Sequence, residues 1–318
     1  MSGRGLVYEV PAALYRDGMK IGITGSSGLI GTALHQHLDM AGHTVSPIVR
    51  RPPHAGSSEI AWDPAAGTID TAALTSLDAV VHLAGAGIGD HRWNDDYKRV
   101  LLDSRVDGTT LLTEAIGRLG VDGPRTLISG SAIGIYGDRG DERVDEASES
   151  GAGFLSEICR AWEASTVAAQ ASGVRVAHLR TGIVLSHRDG ALKKMLPLFK
   201  LGVGGRFGTG RQWMSWISIE DHVRAIEHLL TSPIEGAVNL TAPNPVRNAD
   251  FAKTLGKVLH RPSFAPVPAF GPKLILGSEL ANALLFEGQH VASKVLQHDG
   301  FEFSHPELEP ALEAVLDH

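Results

Sequence analysis

Three glycines at three-residue intervals, Gly25, Gly28 and Gly31, stand between a short apolar run, Lys20 to Thr24, and a stretch in which Ile30, Leu34 and Leu38 recur every four residues. Glycine brings no reactive group; what it permits is close approach and a sharp change of direction. A strand, a glycine turn and a helix in that order leave unbonded N–H groups and the positive end of a helix dipole at the turn, and phosphate is the ligand such a place suits. Gly25 lets the chain leave the strand, Gly28 lets backbone approach a pyrophosphate, and Gly31 lets the helix lie close on the sheet. Ser26, Ser27, Leu29 and Ile30 complete the turn. This is the context of a dinucleotide-binding fingerprint, with the spacing GxxGxxG in place of the commoner GxGxxG. The chain holds 37 glycines, so triplets arise by chance and the flanking elements carry the reading. The competing reading is a tight strand–helix turn that holds no ligand.

The next candidates concern which dinucleotide. An NAD site places a carboxylate at the end of the second strand, against the ribose 2′-hydroxyl. No Asp or Glu occurs between His43 and Ser58, and Arg50 and Arg51 follow the second strand instead. A guanidinium suits a 2′-phosphate. The pair favours NADP(H) over NAD(H), unless it is simply a solvated pair of arginines. Further along, Tyr136 follows a core strand and is expected at a crevice mouth. Arg180 ends another core strand. Arg211, Gln212, Trp213, Ser215 and Trp216 form a dense polar and aromatic cluster that faces either the substrate or a hinge between lobes. The 15 histidines show no HxxxH or HExxH spacing, so no metal site is expected.

These residues need elements to hold them. Strands and helices alternate from Lys20 onward, which predicts a doubly wound, Rossmann-like parallel sheet of the α/β class, covered on both faces. After Lys20–Thr24 the strands are read at His43 to Val49, in AVVHLAG after Asp78, at Arg125 to Ser131, in VRVAHLR from Val174 and within Glu235 to Ala242. Helices are expected from about Trp93 to Leu119 and from Phe154 to Ser172. From Pro243 the alternation stops, and prolines and short helices take over. The expected division is a tail at residues 1–18, a nucleotide-binding domain at 19–185 and 215–242, and a smaller C-terminal substrate lobe from 186–214 and 243–318. Ligands of open sheets bind beyond the strand C-termini, so the substrate is expected between the lobes.

Composition narrows the classes. Hydrophobic residues at 43% and charged residues at 20% are ordinary for a soluble globular protein. A net charge of −7 gives no basic footprint for nucleic acid. The lone Cys159 excludes an intrachain disulfide and fits a reducing cytoplasm. No apolar run approaches a membrane span. The expected partner is a small-molecule substrate, with neither nucleic acid nor membrane; a homodimer is left open.

With GSSGLIG, HLAGAGI, SGSAIGIYG and RTGIVL in order, the chain resembles the extended short-chain dehydrogenase/reductase superfamily, and more closely its atypical epimerase-family branch. RQWMSWISIEDHVRAI, VNLTAPNPV and the late RP…PVPAF look like that branch, and the resemblance covers Lys20 to about Leu316. It implies a nicotinamide cofactor. It places Leu83, Ala84 and Gly85 beside the adenosine ribose, Ser129 near the nicotinamide, and Ser131 at the position of the family's catalytic serine or threonine.

One departure stands out. Such enzymes usually carry YxxxK on the helix after the serine strand, where the i, i+4 spacing puts both side chains on one face; the lysine lowers the tyrosine pKa for proton exchange. Counting back from FLSEICRAWE, those positions are Leu155 and Cys159. No lysine lies between Lys98 and Lys193, and the only tyrosines are Tyr8, Tyr15, Tyr97 and Tyr136. The proton donor then falls to Tyr136, to Ser131 through a water, or to the substrate. Arg105 stands where extended relatives often have asparagine. The resulting expectation is an NADP(H)-binding oxidoreductase or epimerase acting on a small polar substrate, a sugar nucleotide among the options. The alternative is a cofactor-binding sensor or regulatory protein without chemistry.

Overall fold

A computed structural model describes residues 18–317; the expected tail, apart from Gly18, lies outside them. β1 (Lys20–Thr24) leads through the glycine turn to α1 (Leu29–Met40) and β2 (Thr44–Val49). Then come β3 (Ile60–Asp63), β4 (Thr68–Ile69), the single turn α2 (Thr71–Leu74), β5 (Ala79–His82) and the long α3 (Asp95–Leu119). β6 (Thr126–Ala132), β7 (Arg143–Val144), α4 (Phe154–Ala164), α5 (Val167–Ala171), β8 (Arg175–Thr181) and β9 (Ile183–Leu185) follow. Next are α6 (Gly190–Lys200), β10 (Trp213–Met214), β11 (Trp216–Ser218), α7 (Ile219–Thr231) and β12 (Gly236–Leu240). β13 (Val246–Arg247), α8 (Asn248–Val258), α9 (Phe270–Leu276), α10 (Ser278–Ala281), β14 (His290–Val291), α11 (Lys294–His298) and α12 (Leu308–Leu316) end the described chain.

The central sheet has the order β12-β8-β6-β5-β1-β2-β3-β4. Only the β3–β4 pair is antiparallel. From β1 the chain winds outward to β4, then crosses back to β5 on the other side of β1. That reversal opens a crevice beyond the C-terminal ends of β1 and β5, the usual ligand position in such sheets. The apolar runs of β5 and β6 are continuous because helices cover both faces. On one face α1 and α7 bring Leu34, Leu38, Ile226 and Leu229 onto Ile21 and Ile23. On the other, α3 and α5 bring Leu112, Ile116 and Ala169 onto Val80, Leu127 and Val176.

One feature differs from the sequence reading. The helix expected from Phe154 to Ser172 breaks after Ala164. There the Ser165 hydroxyl donates to Ala161 O (2.7 Å) and the Thr166 hydroxyl to Glu163 O (2.7 Å), while Thr166 also meets His178 Nε2 (2.9 Å). Such local bonds compete with helix propagation. The C-terminal region, moreover, does not keep to itself. Its own core joins Leu192, Phe199, Phe251, Leu255 and Leu312, but Leu296 and Phe301 pack into the first core. Val291 lies with Ile133, Tyr136 and Cys159, and β14 pairs with β7 in parallel.

Candidate functional site

The glycine turn has the geometry its spacing predicts. Gly25 has φ +68°, and a Cβ there would lie 2.9 Å from the Leu83 carbonyl and 3.0 Å from Ala84 N. A Cβ on Gly31 would fall 2.2 Å from Gly25 O, so only glycine lets α1 start this close to β1. Gly28 differs: a Cβ there would meet only Gly25 O, at 3.3 Å. It is exposed, and it caps α1 without any side-chain hydrogen bond. The first turn of α1 carries no acidic residue. The N–H groups at the start of α1 thus lack both a side-chain cap and a competing carboxylate, which is what a pyrophosphate requires. Ser26 and Ser27 flank this opening, with Leu29 and Ile30 half-buried behind it.

A buried polar chain ties the turn to the neighbouring strand end. Thr24 Oγ1 accepts from Leu83 N (3.1 Å) and Ala84 N (3.2 Å) and lies 2.7 Å from His82 Nδ1. His82 Nε2 is 3.0 Å from Thr109 Oγ1, whose own proton goes to Arg105 O at 2.6 Å. The proton bookkeeping requires the neutral Nε2–H tautomer of His82. Burial holds this imidazole down to about 4, so it stays neutral at physiological pH. Leu83, Ala84 and Gly85 are therefore fixed immediately beside the glycine turn.

At the end of β2 the two arginines separate. Arg50 is exposed, and no hydrogen bond or ion pair engages its side chain among the described residues. Arg51, expected at the cofactor, is instead paired: its Nη1 donates to Glu59 Oε2 (2.9 Å) and its Nη2 to Glu59 Oε1. Glu59 lies one residue past the window that lacks acids, and the entry of the chain into β3 brings it alongside. The Arg51 bond, then the His54 backbone N–H, hold its carboxyl down to about 2.

Beyond β6 the expected catalytic groups are engaged with one another. Ser131 is 4% exposed, and its hydroxyl donates to Glu163 Oε1 (2.7 Å). Arg180 Nε and Nη2 donate to the two oxygens of Glu163 (2.9 and 3.0 Å), and Nη1 donates to the Tyr136 hydroxyl (3.1 Å). Tyr136 donates in turn to Asn239 Oδ1 (2.7 Å). Register explains the meeting: Ser131 pairs with Arg180, and Arg180 with Asn239, across three parallel strands. Burial would raise the Glu163 carboxyl; Arg180 and then Ser131 more than reverse this and leave it low.

Three expectations are corrected here. Tyr136 is not at a crevice mouth but fully buried, because the turn Ile133–Tyr136 folds it under Val144 and Val291; burial, first of all, raises its phenol. Arg180, expected to face the crevice, spends Nε and Nη2 on Glu163 and Nη1 on Tyr136. Ser129 lies two residues deeper on the strand, 0% exposed, and its Oγ has no partner among the described residues.

Most of the cluster near Arg211 is engaged with the C-terminal region. Ser215 is 1% exposed; its hydroxyl donates to Gln289 O (2.7 Å) and accepts from Val291 N (3.0 Å), so both its donor and an acceptor position are already taken. Gln212 Nε2 donates to Leu285 O (2.6 Å). Trp213 stacks on His290 at 3.9 Å, with the Arg247 guanidinium 3.9 Å from its ring centroid. Trp216 is buried, and its Nε1 donates to Asn244 O (3.2 Å). Arg211 alone of the set is exposed.

The description of the NAD dependent epimerase/dehydratase family matches residues 21–241, and that of a domain of unknown function, DUF1731, matches residues 267–315. The chain belongs to the NAD-dependent epimerase/dehydratase family. It is 45% identical over 293 residues to the epimerase family protein Mb2239 of Mycobacterium bovis, covering 92% of this chain and 96% of that protein. The human epimerase family protein SDR39U1, solved with NADPH, superimposes with a TM-score of 0.85 at 34% identity, over 94% of this chain and 99% of that one. A nucleoside-diphosphate sugar epimerase from Corynebacterium glutamicum gives 0.76 at 37% identity, over 94% of this chain and 58% of that one.

Within this epimerase/dehydratase fold the α4 face holds Leu155 and the buried Cys159, whose thiol burial pushes up to about 11. Neither can exchange a proton as a phenol does. The tyrosine bordering the loop beyond β5 is Tyr97, half-buried, its hydroxyl donating to Gly87 O at 2.5 Å. Its place on α3, three residues after the capping Asn94, was the available signal. Glu163, Asn239 and Glu59 were also missed. Each acts across strands or loops, where no local spacing marks it.

Proposed function

We propose that the protein binds NADP(H) across the C-terminal edge of its sheet and serves as an oxidoreductase or epimerase on a small polar substrate held between sheet and C-terminal lobe. The observation that carries this is the acid-free, uncapped start of α1 behind a turn that only glycine can make. The residues present fit a dinucleotide: Gly25 to Ile30 would hold its pyrophosphate, Leu83 to Gly85 its adjoining ribose, and Arg50 a 2′-phosphate. When bound, the nicotinamide supplies hydride transfer; the chain supplies position and charge. The NADPH in the human relative and the sugar-nucleotide name of the Corynebacterium protein support the choice of cofactor and substrate class.

One observation favours a second reading, a cofactor-binding regulatory protein. The groups nearest the β6 end, Ser131 and Tyr136, already spend their protons on Glu163 and Asn239. The first test is fluorescence titration with NADPH and NADH. A charge-assisted contact from Arg50 is worth about 1.5–3 kcal/mol, so NADPH is expected to bind about 10–150-fold tighter. Equal affinities would remove the NADP assignment, and failure of both to bind would remove the cofactor. Absorbance screening of carbonyl and sugar-nucleotide substrates with NADPH then separates enzyme from sensor.

A further inference from the structure

Helix α9 has no buried residue. A surface helix normally turns its apolar stripe to the core, but here Phe270, Leu274 and Ile275 are 75%, 74% and 70% exposed. Leu201 and Phe264 are 76% and 86% exposed, and Leu198 and Val203 are open as well. Elsewhere among the described residues only Met40 and Val121 stand out as far. Contacts gather these side chains into one region of surface. Arg261 Nε donates to Lys200 O (3.0 Å), a Cβ on Gly202 would lie 3.2 Å from Pro262 Cγ, and Val267 N donates to Arg206 O (2.8 Å). The segment after α6 therefore runs beside the segment before α9. Phe286 links the two: it packs edge-on against Phe207, 6.3 Å between centroids, and the Lys273 ammonium lies 5.6 Å from its ring centroid. At its end α9 is fastened to the loop beyond β5, where Arg92 Nε donates to Ile275 O at 2.7 Å.

The charge of this region opposes that of the chain, whose net charge is −7. Residues 190–219 carry Lys193, Lys194, Lys200, Arg206 and Arg211 and no Asp or Glu. Residues 251–278 carry Lys253, Lys257, Arg261 and Lys273, again without an acid. Of these cations, only Lys257 has an acid at ion-pair distance among the described residues, Glu309 at 2.5 Å. Apolar side chains standing in water among unpaired cations ask for a partner that is both negative and apolar. A two-fold interface with a second copy would set the same cations against each other, and like charges oppose it. An anionic lipid surface meets both demands, since its headgroups take Lys and Arg and its acyl boundary takes Phe, Leu and Ile.

We propose that the protein docks on anionic membrane surfaces through this face. Phe264, Phe270, Leu274 and Ile275 enter the acyl boundary, and Lys200, Arg261 and Lys273 meet lipid phosphates. No helix among the described residues is long and apolar enough to cross a membrane, and lying on one needs no such helix. The docking does not depend on the NADP(H) reading, but it bears on the crevice. A Cβ on Gly89 would lie 3.7 Å from both Leu284 Cδ1 and Lys194 Nζ. The face thus ends at the loop beyond β5, and docking turns that rim of the crevice toward the bilayer.

Co-sedimentation of the full chain with vesicles tests this, using phosphatidylcholine alone and its equal mixture with phosphatidylglycerol. Binding to the mixed vesicles is expected, with little to phosphatidylcholine alone and less at high salt. Phe270→Ser with Leu274→Ser should weaken partitioning more than about tenfold. Lys193→Gln with Lys200→Gln should weaken it about 25-fold, from about fivefold per charge at an anionic surface. Both variants are expected to unfold at the wild-type temperature, because the altered side chains are exposed. A wild type that sediments with neither vesicle overturns the proposal. So does full vesicle binding by the Phe270→Ser, Leu274→Ser variant, which leaves charge attraction alone. Should the wild type be a dimer that binds no lipid, and this variant a monomer, the face joins two copies and the proposal falls.

Discussion

The crevice has two halves, and they are built on opposite principles. Around the glycine turn, polar groups are left open: the start of α1 has no cap and no acid, Arg50 has no partner, and Arg105 has one backbone bond. Around the end of β6, polar groups are closed on one another, from Ser131 through Glu163 and Arg180 to Tyr136 and Asn239. Open groups lower stability until a ligand satisfies them; closed groups raise stability and leave little for a ligand. One half leaves donors for a ligand, while the other is a tie between strands. Substitutions should therefore fail differently in the two halves: in stability on the closed side, in affinity on the open side.

The largest effect is expected from Glu163→Gln. It leaves Arg180 buried, with side chains 14% and 11% exposed for the pair, and without its counter-charge. Breaking a buried pair by removing one partner costs about 3–5 kcal/mol. Urea unfolding should show that loss, with NADPH affinity of the folded protein within threefold of wild type. A stable variant with weakened NADPH would reverse the assignment of the two halves.

Acid should strike next, through His82. Its folded pKa, about 4, lies below the ordinary 6.5, so the unfolded chain takes up the proton first. The stability that depends on neutral His82 is complete above about pH 6.5. It is lost as pH falls toward 4 and does not fall further below it. The gap corresponds to about 3 kcal/mol. His222, held down to about 3 by the same burial, extends the window lower. Unfolding midpoints between pH 7 and 3 check this, and His82→Asn should flatten the upper part of the slope; an unchanged slope would detach His82 from it. Because folded His82 stays neutral down to about 4, NADPH affinity of the folded protein should hold across this window and weaken only as pH falls through about 4.

The two inner glycines sharpen the contrast within the open half. Gly28→Val adds atoms on the ligand side, where the backbone itself leaves room, and should cost more than about a hundredfold in NADPH affinity by blocking the pyrophosphate. Its unfolding temperature should stay near that of wild type. Gly31→Ala pushes a Cβ against Gly25 O and Ser26 Cα, at 2.2 and 2.7 Å, and should destabilise the fold by about 1–3 kcal/mol, as overpacking does. Unchanged NADPH affinity in folded Gly28→Val would make the turn a structural device only.

What the sequence disclosed divides along the same line. The open half is local: strand, turn and helix lie within 21 consecutive residues, from Lys20 to Met40, so spacing and periodicity are enough to read it. The closed half is assembled across the sheet. Tyr136 and Asn239 are 103 positions apart and Arg180 and Glu163 are 17 apart; register, not spacing, brings them together. Hence Tyr136 could be read as an open phenol, and Ser215 as substrate-facing, when partners from distant segments consume both. Arg51 shows how close a local reading can come. Its partner Glu59 lies eight positions away, just past the window read as free of acids.

The smallest expected effect tests that last pair. Arg50→Ala removes the unpartnered guanidinium at the end of β2 and should weaken NADPH roughly tenfold, the lower end of a charge-assisted contact, with NADH unchanged. Arg51→Ala acts indirectly. Arg51 is already bound to Glu59, so its loss removes little attraction for a 2′-phosphate. It does release a carboxylate that the His54 backbone N–H still favours in its ionised form. That charge repels a 2′-phosphate and can accept from a free ribose 2′-hydroxyl. NADPH should therefore weaken about twofold to threefold, NADH should bind no worse, and added salt should erase most of the difference, since surface charges are screened over about 10 Å at 0.1 M. The ratio of the two dissociation constants at low and high salt decides it. If Arg51→Ala lowers NADPH affinity as strongly as Arg50→Ala, Arg51 leaves Glu59 for the ligand and belongs to the open half.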